Sequence, residues 1–288
     1  MEFLVSILVL GATYAMLAGG IVIVYKASRV VNFAHGELAI VGGYMFYTLS
    51  MLESNGSLWI ALAGSIAFSI VLGLVIYVVL MRRMIGESFF VAAMVTIGMA
   101  ILLKAAIIVV WKSRNCCLNL GGQAVYSLTG GGQVTLADVS TVAIGVVFFA
   151  AIHFFFQFTR LGRQFRGTAE NPLLASQRQV NVNLILTLAW VIAVVMACVS
   201  GILYGSRSLL SPSGVIIGLN GLTAALVGGL DSLYGAIAGG LLVAVTSYCT
   251  ARLISPALSD AVPFIILLIV MSFQPWGLFG TKEELDRV

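Results

Sequence analysis

The sequence predicts an all-α polytopic membrane protein with about eight transmembrane helices. Of its 288 residues, 60% are hydrophobic and only 9% are charged, and the mean hydropathy is +1.09. Soluble domains carry roughly 25% charged residues, so this composition excludes that class. Several apolar stretches also reach the roughly 20 residues that are needed to cross a hydrocarbon core.

The apolar stretches predict the following helices in chain order: Phe3–Tyr25, Val31–Leu52, Leu58–Met81, Phe89–Trp111, Leu136–Phe158, Leu184–Tyr204, Tyr234–Leu253 and Ala261–Phe279. A further stretch, Gly214–Leu230, is apolar but short and rich in glycine. It predicts either a ninth crossing or a re-entrant half-helix. The side of the C-terminus depends on this alternative, and we favour the inside.

Positive charges in the connecting loops set the expected orientation. Segments 26–29, 82–83 and 159–183 carry basic residues and fall on one side of the predicted bundle. Because Lys and Arg concentrate in cytoplasmic loops, these segments are expected inside and the N-terminus outside. The basic residues in the outer loop 112–135 and Arg207 are exceptions to this charge distribution. With no soluble domain expected, residues 1–288 are predicted to form a single transmembrane domain.

Small residues predict close contacts between helices in the second half of the chain. The pairs at small-xxx-small spacing are Gly201 and Gly205, Gly214 and Gly218, and Gly235 and Gly239. Such pairs let helix backbones approach closely. Two segments, 39–43 and 225–229, also end in Val-Gly-Gly, and corresponding glycine-interrupted segments in two halves of a transporter point to a central binding site.

The basic loop 159–183 contains a helix start of its own. It reads TRLGRQFRGTAENPLLASQRQVNVN, in which Asn171 is a good N-cap and Pro172 suits the first helical position. Apolar and polar residues then recur at roughly helical spacing, at Leu173, Leu174, Gln177 and Val180. A short capped helix on the cytoplasmic side predicts a docking surface for another chain.

Several function classes lack their motifs in this chain. A P-loop needs Lys directly after Gly, and none of the four lysines has that context. An ATP-driven process would therefore need its ATPase on a separate subunit. No metal-ligand spacing and no pairing of nucleophile with base emerges, so we predict no catalytic residue and no metal site. The net charge of +4 is explained by the loop charges and gives no reason to invoke nucleic acid.

Ionisable residues stand at the start of the second stretch, which reads VNFAHGE over residues 31–37. Such groups cost about 2.5–3.5 kcal/mol at the centre of a membrane helix, so they usually line a cavity, pair, or sit near an interface. The segment is therefore either a polar turn at the cytoplasmic interface or part of a polar cavity. His35 and Glu37 are two residues apart and point to different helix faces.

Four segments together resemble a known family. They are VNFAHGE, GRQFRGTAENPLLASQRQVNVN, LTAALVGGLDSLYGAIAGG and QPWGLFG, and they are similar to the permease subunits of bacterial branched-chain amino-acid ABC importers. Order and spacing match over nearly the whole chain. The resemblance is to the shorter of the two permeases that usually work as a pair.

The resemblance implies a transport subunit of the bacterial inner membrane rather than an enzyme. It implies a second permease subunit, two cytoplasmic ATPase subunits and an extracytoplasmic amino-acid-binding protein as partners. ATP and Mg would be held by the ATPase subunits, and no cofactor is expected in this chain. The coupling positions that it implies are Arg163, Arg166, Glu170, Asn171, Pro172, Leu173 and Leu174.

A zwitterionic substrate would be met by helix dipole ends and polar side chains along the path. The candidates by polarity and position are Asn32, His35, Glu37, Thr96, Ser200, Asn220 and Thr223. For each of them, a hydrogen bond between packed helices is the alternative to contact with the ligand.

The chain departs from the family pattern at three places. After the predicted coupling helix the family often has Leu-Gly-Ile-Asn, whereas this chain reads RQVN over residues 178–181. Asp231 adds a charge near a membrane boundary, where it is expected to be solvated or to cap the next helix. Lys104 lies within the fourth stretch, and it either snorkels to the outer interface or faces the pathway.

Two alternative functions stay open from the sequence. Permeases for urea and short amides are similar to this chain throughout, so the sequence does not fix the substrate. A self-sufficient secondary transporter would commonly carry ionisable residues in mid-membrane for coupling. Such residues are nearly absent here, with Lys104 the main exception.

Overall fold

A computed structural model describes residues 2–52, 58–112, 114–118, 125–127, 133–212 and 216–281. Most of the described residues are helical, which confirms the all-α membrane fold class. Half of the expected outer loop 112–135 and all of the C-terminal residues 282–288 lie outside the described part of the chain.

The longer helices are α1 (Glu2–Ser28), α2 (His35–Leu52), α3 (Leu58–Val79), α4 (Phe89–Trp111), α5 (Leu136–Phe158), α8 (Val182–Gly205) and α10 (Leu233–Leu253). The shorter ones are α6 (Arg160–Glu170), α7 (Pro172–Gln177), α9 (Ile216–Gly228), α11 (Pro256–Ser259) and α12 (Val262–Phe273). A 3₁₀ helix, Met81–Met84, follows α3, and two short strands, β1 (Val125–Ser127) and β2 (Gln133–Thr135), precede α5.

Seven helical stretches are long and apolar enough to cross a membrane, with α11 and α12 counted as one. The stretch that contains α2 is the predicted span that falls outside this set. Its first turn carries His35 and Glu37, and its middle carries Gly42 and Gly43, which lower its apolarity. The prediction of about eight spans thus holds when α2 is included.

Glycine contacts hold the bundle around α1, which packs against α5, α8, α9 and α10. A Cβ added to Gly240 of α10 would lie 2.6 Å from the backbone nitrogen of Ala15 in α1. A Cβ on Gly201 of α8 would overlap the carbonyl oxygen of Ala39 in α2. Both glycines let backbones touch within the chain. Gly201 belongs to a predicted pair, whereas Gly240 does not.

The glycine-rich stretch forms a half-helix. Its helix, α9, has 13 residues, so it is about 20 Å long and too short to cross a core of about 30 Å alone. Gly228, its last residue, accepts a hydrogen bond from Phe279 N. The segment after α12 thereby packs at the same end of the bundle as Arg29, with which Thr281 shares a cavity wall. This is the end where the C-terminus is expected.

Two predicted helix boundaries are wrong. The span Val31–Leu52 is helical only from His35, because residues 30–34 run as extended chain and turn. The span Ala261–Phe279 stops at Phe273, because the following residues turn back to bond with the end of α9.

The described parts of the loop 112–135 contain some regular structure. Strands β1 and β2 pair in antiparallel fashion, and Cys116 forms a backbone bridge with Leu210. Arg207, an exception to the charge distribution, forms an ion pair of 2.5 Å with the buried Asp138. The partner on α5 therefore explains this basic residue.

Candidate translocation site and coupling surface

Two helices begin inside the bundle rather than at its ends. A Cβ on Gly20 would lie 2.5 Å from His35 Nε2, so α2 begins about 12 Å short of the C-terminal end of α1. A Cβ on Gly218 of α9 would overlap the Cα of Gly36 in α2. The N-terminal turns of α2 and α9 therefore contact each other within the bundle, and we call this place the central site.

Helix N-termini carry partial positive charge. In many transporter folds, broken helices meet near the bilayer midplane and direct these ends at anionic groups of the substrate. The Val-Gly-Gly similarity points to α2 and α9, but the contact lies at their first turns, not at the similar segments. Gly42 of α2 instead packs against Cys198, and Gly228 of α9 against Gly235.

The predicted pathway residues are all buried, with exposed fractions of 5% or less: Asn32, His35, Glu37, Thr96, Ser200, Asn220 and Thr223. They fall into two groups. The first group surrounds the start of α2, and the second lies on α8 and α9.

The first group is tied together by the chain that leads into α2. Thr96 Oγ1 on α4 lies 3.3 Å from Val31 O and accepts a hydrogen bond of 3.3 Å from Phe33 N. Asn32 Oδ1 accepts from Ala34 N at 3.1 Å. Thr96 therefore holds the extended segment in place at a depth where helix α2 has not yet begun.

Several polar atoms in the first group have no hydrogen-bond partner among the described residues: Asn32 Nδ2, His35 Nδ1 and Nε2, and Glu37 Oε2. Buried polar groups are nearly always paired with protein or water, because leaving one unpaired costs several kcal/mol. Since His35 lies well inside the bundle, the interpretation as a polar turn at the interface is wrong. The unpaired atoms mark a place that water or a polar ligand would satisfy.

Residues of the second group form hydrogen bonds between packed helices. Ser200 Oγ donates to Thr13 O at 3.1 Å and so joins α8 to α1. Asn220 Nδ2 donates to the hydroxyl of Tyr14 at 3.0 Å, while Asn220 Oδ1 has no partner among the described residues. Thr223 is buried one turn further along α9. Ser200 is thus a helix-packing residue, whereas Asn220 keeps one free acceptor.

A cavity of about 370 Å³ lies between the C-terminal end of α1, the N-terminal ends of α4 and α8, and the basic loop. Its charged and polar lining includes Lys26, Arg29, Glu87, Thr168 and Glu170, and Pro172 also lines it. Ala92, one turn before Thr96 on α4, also lines it. The cavity therefore joins the region below the central site to the loop that carries the predicted coupling positions.

The basic loop folds as two helices, α6 and α7, and the predicted capped helix is confirmed. Asn171 Oδ1 accepts hydrogen bonds from Leu173 N at 3.1 Å and Leu174 N at 3.0 Å. Pro172 occupies the first turn. The Asn side chain thus satisfies two amides that a helix start leaves unpaired.

The predicted coupling positions differ in what they contact. Arg166 donates to Phe156 O and Gln157 Oε1, both at 2.8 Å, and so caps the end of α5. Arg163 is exposed. Leu173 and Leu174 are 70% and 57% exposed at the tip of the loop. The structure therefore gives Arg166 an internal role and leaves the leucine pair available to a partner.

The end of α7 explains the departure from Leu-Gly-Ile-Asn. Gln179 stands where that pattern has glycine, and its φ is +60°. Val180 N donates to Ala175 O at 3.1 Å, and Gln179 N to Ser176 O at 3.0 Å. These two bonds are the Schellman ending, which favours glycine at the left-handed position. The helix end survives without glycine but holds a strained Gln.

Asp231 does not cap the next helix, so of the two expected roles the capping role is wrong, whereas its partial exposure agrees with the solvated alternative. Ser232 caps α10 by accepting from Gly235 N at 3.0 Å. The Asp231 carboxylate instead accepts from Thr281 N, at 3.1 Å, and from its hydroxyl. Asp231 therefore anchors the segment after α12 to the turn between α9 and α10.

Sequence reasoning missed Tyr14 and Asp138. Tyr14 looks like one more apolar residue in a uniformly apolar helix, and only the fold places it beside Asn220. Asp138 carried a local signal, because it is the third residue after Thr135 in a capping box. Its second role, as the partner of Arg207, depends on a contact between distant segments.

Together, the bundle and the central site define a multi-pass membrane protein with the architecture of a transport subunit. Buried half-helix ends meet inside it, and a capped helix projects two leucines from one end.

The chain belongs to the family described as branched-chain amino acid transport system, permease component, whose sequence model matches residues 3–271. The family relatives and the seven apolar helical stretches indicate that this chain is a multi-pass protein of the bacterial inner membrane.

Curated relatives extend over almost the whole chain. The high-affinity branched-chain amino acid transport system permease protein LivH of Salmonella typhimurium is 30% identical over 97% of this chain and 94% of its own length. The permease protein BraD of a system of the same description, from Pseudomonas aeruginosa, is 30% identical over 100% of this chain and 98% of its own. A probable branched-chain amino acid transport permease protein LivH of Methanocaldococcus jannaschii is 23% identical over 95% and 90%. No solved structure matches the chain.

Proposed function

We propose that the chain is a permease subunit of an ATP-driven importer for branched-chain or related small amino acids. Family membership supports the transport role, and the names of the relatives favour branched-chain amino acids over urea or short amides. The proposal places ATP hydrolysis on separate cytoplasmic subunits, because no nucleotide motif is present in the sequence.

The observation that carries the coupling role is the exposed leucine pair on α7. Two large apolar side chains, Leu173 and Leu174, project from a short capped helix in an otherwise polar loop. Apolar side chains that insert into a groove of a partner typically dominate binding energy. We therefore assign α7 as the helix that enters a groove on an ATPase subunit.

The contacts of the loop provide a route from α7 to the central site. Arg166 fastens α6 to the end of α5, and Gly162 packs against the backbone of Phe155 and Phe156. Glu170 and Pro172 line the cytoplasmic cavity beside α1 and α4. A displacement of α7 would then move the walls of this cavity, which is the change that alternating access requires.

At the central site, the start of α2 and the start of α9 would receive the carboxylate of the substrate. Asn32 Nδ2 and the ring nitrogens of His35 are free to hydrogen-bond with it. Glu37 carries the opposite charge for an ammonium group. In this proposal, a second permease subunit completes the path, two ATPase subunits drive it, and an extracytoplasmic binding protein delivers the amino acid.

The test is uptake of radiolabelled leucine into proteoliposomes. The chain is co-expressed with its neighbouring genes, purified gently and reconstituted, with and without ATP. We expect ATPase subunits and a second permease to copurify, and uptake to require ATP. Uptake by this chain alone, unaffected by removal of ATP, would support the secondary transporter and overturn the proposal.

Two variants test the coupling loop. Leu174→Asp is expected to reduce ATP-driven uptake at least about tenfold, because burying a carboxylate in an apolar groove costs well over ~1.4 kcal/mol. Glu170→Lys reverses a charge in the cavity wall and is expected to act in the same direction. Gln164→Asp, which adds the same charge at an exposed position of α6, is the control. Equal uptake and equal ATPase association in all three would remove the coupling role from α7.

A further inference from the structure

Lys104 is an exposed cation in the middle of a helix that is otherwise apolar. It lies in α4, whose sequence is FFVAAMVTIGMAILLKAAIIVVW, and its side chain is exposed on the surface of the bundle. A charge at such a position is costly in lipid. Lys104 therefore needs a polar surrounding that lipid does not provide.

Two hydrogen bonds fix the alignment of α4 with α2. Phe33 N donates to Thr96 Oγ1 near one end, and Trp111 Nε1 donates to Thr48 Oγ1 near the other. Both bonds join residues that are 63 positions apart. Phe33 lies two residues before α2, so the equal separation places Lys104 at about the level of Val41 in α2.

The direction of the side chain brings Lys104 to Glu37. Side chains on a helix lean towards its N-terminus, so Lys104 reaches back by about one turn, or about 5 Å. One turn before Val41 is Glu37, so the Lys104 side chain extends to the level of the Glu37 carboxylate. These two described residues do not form a direct ion pair. They face each other across the seam between α2 and α4.

The same direction argues against snorkelling. Lys104 is seven residues, or about 10 Å, from Trp111 at the outer end of α4, and its side chain points away from that end. The level of Glu37 is close to the middle of α4, which has 23 residues. The opposite charges thus lie near mid-membrane, at the edge of the central site.

We propose that Glu37 and Lys104 form a charge-reading pair in the translocation path: Lys104 joins the two helix starts in binding the carboxylate of a zwitterionic amino acid, and Glu37 binds its ammonium. The inference rests on the proposed transport function and deepens it, because it selects amino acids over uncharged urea and amides. Glu37 keeps one buried oxygen without a partner among the described residues. An ammonium group would satisfy that oxygen, whereas a neutral ligand would leave both charges uncompensated.

The first test does not depend on transport. Lys104→Cys in the purified complex is treated with a water-soluble cationic methanethiosulfonate, and the adduct is located by mass spectrometry. We expect Cys at position 104 to react, and 5 mM leucine, unlike 5 mM urea, to slow the reaction at least about threefold by occupying the site. Leu102→Cys, at a position that is 70% exposed, is the lipid-facing control and is expected to stay unmodified. Absence of labelling at position 104, or equal protection by leucine and urea, overturns the inference.

The second test distinguishes a charge pair that binds the substrate from one that only stabilises the structure. Lys104→Met and Glu37→Gln are each expected to reduce leucine uptake at least about tenfold, since each removes a charge-assisted contact. The double variant removes both charges and leaves no unpaired ion. If the pair were structural, the double variant would regain uptake. If the pair binds the substrate, uptake by the double variant stays low.

Lys112→Met removes a lysine from the end of the same helix and is expected to keep uptake within about twofold of the wild type, because a solvated charge contributes little. Recovery of uptake in the double variant overturns the inference. A wild-type complex without ATP-dependent uptake overturns the proposed function instead, and the labelling of position 104 then decides the pair separately.

Discussion

The contact between α2 and α8 gives the sharpest structural prediction, through the substitution Gly42→Ala. A Cβ on Gly42 would lie 2.5 Å from Cys198 Cα and 2.7 Å from both Cys198 Cβ and Sγ. Real Cβ atoms essentially never approach another heavy atom closer than 3.0 Å. Because Cys198 Cα is backbone, no rotamer change relieves the clash, and the two helices must separate.

The cost follows from overpacking and helix separation. Forcing an extra methyl into a packed core typically costs about 1–3 kcal/mol. We expect the upper part of this range, since α2 also touches α8 where Gly201 meets Ala39. The intrinsic helix preference of Ala over Gly recovers only about 1 kcal/mol. The net loss of stability is therefore expected to be about 1–2 kcal/mol, together with a shift of α2 that disturbs the central site.

Gly98→Ala in α4 is the matched control. It makes the same change in a helix interior, but a Cβ there would meet nothing within 4 Å. We expect a small gain in stability, up to about 1 kcal/mol. The assay is thermal unfolding of both purified variants in one detergent, followed by circular dichroism. Equal or higher thermal stability of Gly42→Ala relative to Gly98→Ala would refute the close contact between α2 and α8.

Two further predictions concern the ends of helices. Gln179→Gly is expected to stabilise the end of α7 by about 0.7 kcal/mol and to slow amide exchange of Val180 roughly threefold, because glycine adopts the positive φ without strain; faster exchange would contradict this. Arg207→Met is expected to lower stability by about 2–3 kcal/mol, since it leaves the Asp138 carboxylate buried and unpaired while Arg207 itself is 35% exposed. Adding Asp138→Asn is expected to recover part of the loss in thermal unfolding, and additive losses would show that the ion pair is not coupled.

Local signals in the sequence predicted the helices and their starts well. The apolar stretches placed the long helices to within a few residues, and Asn171 with Pro172 predicted the start of α7. These features depend on a few neighbouring residues, so the local sequence pattern is enough to predict them.

Features that depend on distant contacts were not predictable in the same way. The start of α2 at His35 depends on Thr96 of α4, which holds the preceding extended segment. The end of α12 depends on bonds to α9. Apolar composition alone shows neither of these two helix boundaries, since every apolar stretch is equally suited to the membrane.

The candidate pathway shows the same limit. The candidate residues were chosen because they are polar residues in apolar stretches, and they are all buried. Their polarity did not show which role each of them has. Ser200 bonds to α1, whereas His35 has no partner among the described residues. The alignment that brings Lys104 to the level of Glu37 follows only from the two hydrogen bonds that join α4 to Phe33 and to Thr48.

The central claim is that α7 docks on a separate ATPase, and site-specific photo-crosslinking tests it most directly. A photoreactive phenylalanine analogue is placed at Leu174, and at Leu102 as a control, in the complex expressed with its neighbouring genes. We predict a crosslink from position 174 to an ATPase subunit and none from position 102. Crosslinks from position 174 only to lipid or to the permease itself, in a complex that retains its ATPase, would contradict the account.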